Sequence, residues 1–195
     1  ALLRASAFGD IKIMIPLVTN IDEIRQVKAL VEECKAELDA RGVSYNKDIE
    51  VGTMIETPAA SLIADDLAAE CDFFSIGTND LIGYTMCADR GNDRVGYLYD
   101  VYQPAVLRSL KRIIEEGRKA GIMVGMCGEA AADPLLIPVL LSFGLNEFSV
   151  SAPSILRTRR IISEWTKAEA DALTEKVMKL KTATEVKAML QAAAR

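Results

Sequence analysis

The chain has 195 residues, half of them hydrophobic, and a formal net charge of −5 from 23 basic and 28 acidic side chains. That size and apolar content predict one domain with a substantial core and exclude a disordered or fibrous chain, while the acidic balance argues against a nucleic-acid or anionic-membrane surface. There is no histidine, and the four cysteines, Cys34, Cys71, Cys87 and Cys127, include no C-x-x-C pair. His-containing zinc sites, Ser-His-Asp and Cys-His catalysis and a phosphohistidine on this segment are therefore excluded. No apolar run approaches the roughly 18 residues of a spanning helix. The expectation is a soluble cytoplasmic segment without membrane insertion, its scattered cysteines suited to a reducing compartment.

In chain order, Ala1 to Ala7 reads as the end of a helix. Short apolar, β-branched runs then alternate with helical periodicity, with strands expected at Lys12 to Val18, Ile49 to Ile55, Asp72 to Gly77, Met123 to Cys127 and Glu147 to Val150. Each run is nearly all apolar, as in a parallel strand covered on both faces. After the first strand, Asn20 with Glu23 forms a capping box, Ile21, Ile24, Val27, Val31, Cys34 and Leu38 make one stripe, and Gly42 stops a helix of about 20 residues. Thr57-Pro58, Gln103-Pro104, Asp133-Pro134 and Ala152-Pro153 each place proline where a first helical residue loses nothing by lacking an N–H. Thr166 with Glu169 and Thr182 with Glu185 open a helical tail, Lys167 to Ala193, which no strand follows. The expected single domain thus holds βα units over residues 1–165 and a helical tail over 166–195. Five βα units fit either a doubly wound sheet or part of a (β/α)8 barrel, which typically needs about 250 residues.

In parallel α/β folds the ligand site lies at the carboxyl ends of the strands, so the polar residue closing each run is informative. Those positions hold Glu56, Asn79 with Asp80, Cys127 with Glu129, and Ser151. Glu56 and Asp80 together suit a hard cation such as Mg2+; the plainer roles are complementing a helix dipole for Glu56 and N-capping for Asp80. Arg90, in the loop after Asp80, is placed to clamp phosphate or carboxylate, or else is a solvated surface arginine. Cys127 lies between glycines as a proton donor or nucleophile at the rim, or as a small core residue. Glu129 could orient that thiol. Cys34, Cys71 and Cys87 read as structural, and Arg94, Arg157, Arg159 and Arg160 as surface residues.

Four ordered segments carry a resemblance. Met54-Ile-Glu-Thr-Pro-Ala-Ala60, Phe73-Phe-Ser-Ile-Gly-Thr-Asn-Asp-Leu81, Tyr84-Thr-Met-Cys-Ala-Asp-Arg90 and Gly125-Met-Cys-Gly-Glu129 are similar to the phosphoenolpyruvate-binding domain of the enzyme I family of the bacterial sugar phosphotransferase system. The resemblance runs from about Leu3 to the end of the tail. Pyruvate phosphate dikinase and phosphoenolpyruvate synthase share the Glu, Asn-Asp and Cys-Gly motifs, but the short path from Asp80 to Cys127 is more similar to enzyme I. The resemblance implies a (β/α)8 TIM barrel, incomplete here and begun in mid-barrel, whose domain also makes a homodimer. It implies Mg2+ on Glu56 and Asp80, phosphoenolpyruvate held by Asn79, Asp80 and Arg90, and Cys127 as the proton donor.

The family's reaction moves a phosphoryl group from phosphoenolpyruvate to a histidine, here in an absent amino-terminal domain, releasing pyruvate; that domain then serves the phosphocarrier protein HPr. An idle dimerisation or scaffold module is the other expectation. The family commonly has glycine where Ala132 stands, and its first three barrel strands are missing. Charge counting, with about −3 on the substrate and −2 on the two acids against about +3 from Mg2+ and Arg90, leaves roughly two negative charges unbalanced. Feeble binding by this segment alone is expected, as is self-association through its open sheet edges.

Overall fold

The computed structural model describes residues 1–195. Its elements are α1 (Leu2–Ala5), β1 (Ile13–Ile15), α2 (Ile21–Ala40), β2 (Val51–Ile55), α3 (Pro58–Leu62), α4 (Ala64–Glu70), β3 (Phe73–Gly77), α5 (Thr78–Met86), α6 (Pro104–Lys119), β4 (Met123–Cys127), α7 (Ile137–Phe143), β5 (Glu147–Phe148), α8 (Ile155–Ser163), α9 (Lys167–Val177) and α10 (Ala183–Ala193). The five strands are all parallel and lie in the order β1-β2-β3-β4-β5. A doubly wound sheet reverses its strand order at a switch point. This sheet does not reverse, which removes that alternative.

β4 matches its apolar run residue for residue, whereas the other four strands are shorter than theirs, most of all β1, where the chain leaves the ladder at Pro16, which has no N–H to donate. Burial also differs from the expectation of two covered faces. Ile55, Phe74, Ile76, Val124 and Met126 point toward the helices and are fully buried, in a core that extends to Leu173, Val177, Val186 and Leu190 of the tail. The other face buries Phe73 but also carries Met14, Met54, Ser75, Met123, Cys127 and Glu147, none of them fully buried. Helices supply cover on one side only, so alternate residues along each strand meet different surroundings.

Local signals explain most helix ends. The capping boxes Asn20/Glu23, Thr166/Glu169 and Thr182/Glu185 all form, with both reciprocal hydrogen bonds. Pro58 and Pro104 are the first residues of their helices. Pro134 is not: Asp133 instead closes a turn by accepting from Leu135 N and Leu136 N at 2.9 and 3.3 Å, and α7 begins at Ile137 with Pro138 in its first turn. Pro153 lies in a 3₁₀ turn, Ala152–Ser154, ahead of α8. No helix is long and apolar enough to cross a membrane.

Candidate active site

The carboxyl rim of the sheet is built from adjacent strand ends. Glu56 follows β2 and is only 3% exposed. Thr57, not Glu56, caps α3: its hydroxyl accepts from Ala60 N at 3.0 Å and donates to the Val18 carbonyl at 2.7 Å. The Glu56 carboxylate is left to accept from Leu17 N at 2.8 Å. Leu17 adopts φ +53° to present that N–H, a left-handed conformation costing an L-residue with a Cβ about 1–2 kcal/mol. Burial raises the Glu56 carboxyl above its ordinary pKa; the Leu17 N–H opposes the rise and the neighbouring Asp80 carboxylate adds to it.

Asp80 and Asn79 sit in the first turn of α5, which starts straight off β3. The N-cap is Gly77, with no side-chain cap bond, so the capping role considered for Asp80 is not used. Gly77 has a steric role. A Cβ there would lie 2.5 Å from Glu56 Oε2 and 2.8 Å from Met54 Sδ, so the missing side chain lets Glu56 close over the strand end. Gly77 is also the register partner of Cys127. Glu56 thus borders Gly77 and Cys127 stands across from it, while Asp80, in the first turn of α5, has its carboxylate near that of Glu56.

The Cys127 sulfur, half-buried on the open face, accepts from the Ser75 hydroxyl at 3.7 Å and donates to the Ile76 carbonyl at 3.5 Å. The next residue, Gly128, turns with φ +93° against the start of α5, where Thr78 Oγ1 would meet a Cβ at 2.4 Å. The same hydroxyl donates to the Cys127 carbonyl at 3.1 Å.

Arg90 and Asp80 line one open cleft of about 520 Å³ with Asn79, Tyr84, Cys87 and Tyr99. The Arg90 guanidinium donates to Glu129 Oε1 at 2.8 Å, and both side chains are largely exposed. Glu129 therefore holds the arginine and does not orient the thiol. Tyr99 donates to the Asn79 carbonyl at 2.9 Å; burial pushes its phenol pKa up, with Arg90 opposing and Glu129 and Asp80 adding. Ser151 is exposed, its hydroxyl 3.2 Å from that of Ser154, with no hydrogen bond to the acidic pair.

Cys87 departs from the structural role read for it. α5 ends at Met86 and the chain turns through a left-handed residue, φ +51°, leaving the thiol exposed in the cleft. Cys71 is buried and Cys34 half-buried, and Arg94, Arg157, Arg159 and Arg160 are exposed as expected. Ser75 and Leu17 were missed as contributors. Ser75 has a signal, being the polar break in an apolar strand, whereas a left-handed leucine has none.

An open parallel sheet with polar groups gathered at its carboxyl rim defines an α/β protein with a rim site of the type found in barrels and related folds. Comparison with known proteins narrows this. The family described as "PEP-utilising enzyme, PEP-binding domain" matches residues 1–167, and the chain belongs to it. A "Phosphoenolpyruvate-protein phosphotransferase" of Bacillus sp. (strain S) is 53% identical over 186 residues, 95% of this chain and 32% of the relative. The protein of the same name from Bacillus subtilis (strain 168) is 51% identical over 191 residues, 98% of this chain and 34% of the relative. The chain spans about a third of the length of these curated relatives. Among solved structures, a citrate lyase from Burkholderia xenovorans LB400 superposes with a TM-score of 0.61 at 18% identity, over 98% of this chain and 65% of that one, a likeness of fold alone.

Proposed function

We propose that this chain is the phosphoenolpyruvate-binding part of a phosphoenolpyruvate–protein phosphotransferase. The observation that carries the reading is the buried Glu56 carboxylate beside that of Asp80, without a cationic side chain against either, and with Cys127 on the adjoining strand end. Two carboxylates in like-charge opposition are a donor set for a hard divalent ion, which takes one or two of them and leaves its other positions to water and substrate oxygens. Glu56 and Asp80 hold Mg2+ in this reading. When bound, the ion supplies Lewis-acid stabilisation of charge on substrate oxygens.

Asn79 and Arg90 bind and orient the substrate. The guanidinium turns from Glu129 to the phosphoryl oxygens, an exchange of one charge-assisted pair for another. The acceptor imidazole comes from outside this chain, which has no histidine, and must approach in line behind the phosphorus. Loss of the phosphoryl group leaves the enolate of pyruvate, and the Cys127 S–H gives its proton to the methylene carbon. The proposal extends to a (β/α)8 barrel of which these βα units are one part. It includes a cytoplasmic homodimer and passage of the phosphoryl group to the phosphocarrier protein HPr.

Pyruvate formation by the complete phosphotransferase tests the reading. Cys127→Ala is expected to stall pyruvate release while leaving phosphoryl transfer and assembly in place. Turnover at the parent rate would contradict it and favour an idle scaffold.

A further inference from the structure

Ser75 and Cys127 are paired by what stands opposite them. In the β3–β4 register, Ser75 faces Gly125 and Cys127 faces Gly77. Ser75 has Met54 opposite it on the β2 side, but toward β4 each of the two residues meets a glycine, so on that side the diagonal between them is the side-chain contact left. It is made: the Ser75 hydroxyl donates to the sulfur at 3.7 Å. The serine is not required by the core, which takes Phe74 and Ile76 from the other face of the same strand.

We propose that Ser75 is the positioning residue for the Cys127 thiol, holding the sulfur at the rim and donating to it once its proton has left. The inference rests on the proton-donor reading of Cys127 given above. In that step the S–H bond breaks and a C–H bond forms from the electron pair of the enolate methylene carbon, leaving a thiolate that a solvent proton restores. A hydrogen bond to an ionised acceptor is roughly twice as strong as one between neutral groups, so the serine favours the thiolate.

The charged groups around the pair are Glu56, which borders Gly77 and has Asp80 beside it, Glu147, which packs over Gly125, and Glu129, which follows two residues on with Arg90 engaged on it. Among these groups the serine hydroxyl is the neutral donor already on the sulfur.

Alkylation of the chain by iodoacetamide across a pH series, read by peptide mass spectrometry, reports thiolate at each cysteine. Ser75→Ala is expected to slow Cys127 alkylation at pH 7 about three- to tenfold and to move its midpoint to higher pH. Ser75→Thr, which keeps the hydroxyl, is expected to restore the rate to within about twofold, with exposed Cys87 unchanged throughout as the internal control. Superimposable Cys127 profiles for parent and Ser75→Ala overturn the proposal. A loss that spreads to Cys87, or that threonine does not rescue, also overturns it, because either is a packing effect. The proton-donor reading fails separately: if Cys127→Ala in the complete phosphotransferase forms pyruvate at the parent rate, the pair has no catalytic role whatever its alkylation profile.

Discussion

The Glu56 carboxylate occupies the space that a side chain at Gly77 would fill, 2.5 Å from the position of that absent Cβ. A residue on one strand end is thus seated by the lack of one on the next. Gly77→Ala pushes a methyl group against Glu56 and the Met54 sulfur, so overpacking should destabilise the chain by about 1–3 kcal/mol and displace the carboxylate. Urea unfolding together with Mn2+ titration, Mn2+ standing in for Mg2+, checks both effects. Parent-like metal affinity in the alanine variant would show that Glu56 need not sit where it does.

Glu56→Gln separates stability from function. Burial, then the Asp80 charge, raises the folded-state pKa of Glu56. Such a group contributes stability that is present below the unfolded carboxyl pKa and is lost as pH rises through the raised folded value. Ionisation of this side chain is therefore a net burden in the metal-free chain. Glutamine removes the charge, and a gain of about 1 kcal/mol, roughly 2–4 °C in Tm, is expected at pH 7, shrinking toward pH 4. Stabilisation by added Mg2+ should disappear in the same variant. Thermal melts at the two pH values, with and without Mg2+, check each part.

Arg90→Ala should hardly affect folding, because its pair with Glu129 is exposed and pairs of that kind contribute less than about 1 kcal/mol. Affinity for phosphoenolpyruvate should fall about ten- to a hundredfold, the worth of a hydrogen bond to a charged group. Calorimetric titration against a parallel urea curve separates the two effects.

The four cysteines should react in an order set by their surroundings. Cys87, exposed in the cleft, reacts first; Cys127 and Cys34, half-buried, follow. Cys71 reacts last, since burial pushes its thiol pKa up to about 11. Timed alkylation at pH 8 with peptide mapping gives the order directly, and early labelling of Cys71 would contradict the packing around it.

Much of this site was legible in the sequence because backbone grammar placed it. Apolar runs ending in Glu56, Asn79-Asp80 and Cys127 locate the carboxyl rim, and the reciprocal caps at Asn20, Thr166 and Thr182 locate helices. What escaped depends on contacts between distant segments. The apolar runs could not show that helices cover only one sheet face, since Met14 and Met54 read the same whether covered or not. Asp133-Pro134 looked like a helix start, yet the Asp133 side chain satisfies Leu135 N and Leu136 N in a turn. The Glu129 carboxylate, sequence neighbour of the thiol, pairs with an arginine 39 residues away. Nothing in Pro16-Leu17 announces the left-handed leucine whose N–H meets Glu56.

A crystal of the chain grown with Mn2+ and phosphoenolpyruvate at millimolar concentration, phased to reveal the metal by anomalous scattering, is the most direct measurement. The account predicts one metal peak shared by the Glu56 and Asp80 carboxylates, with the methylene carbon of the substrate turned toward Cys127 Sγ. A metal held elsewhere, or a methylene group facing away from that sulfur, would contradict it.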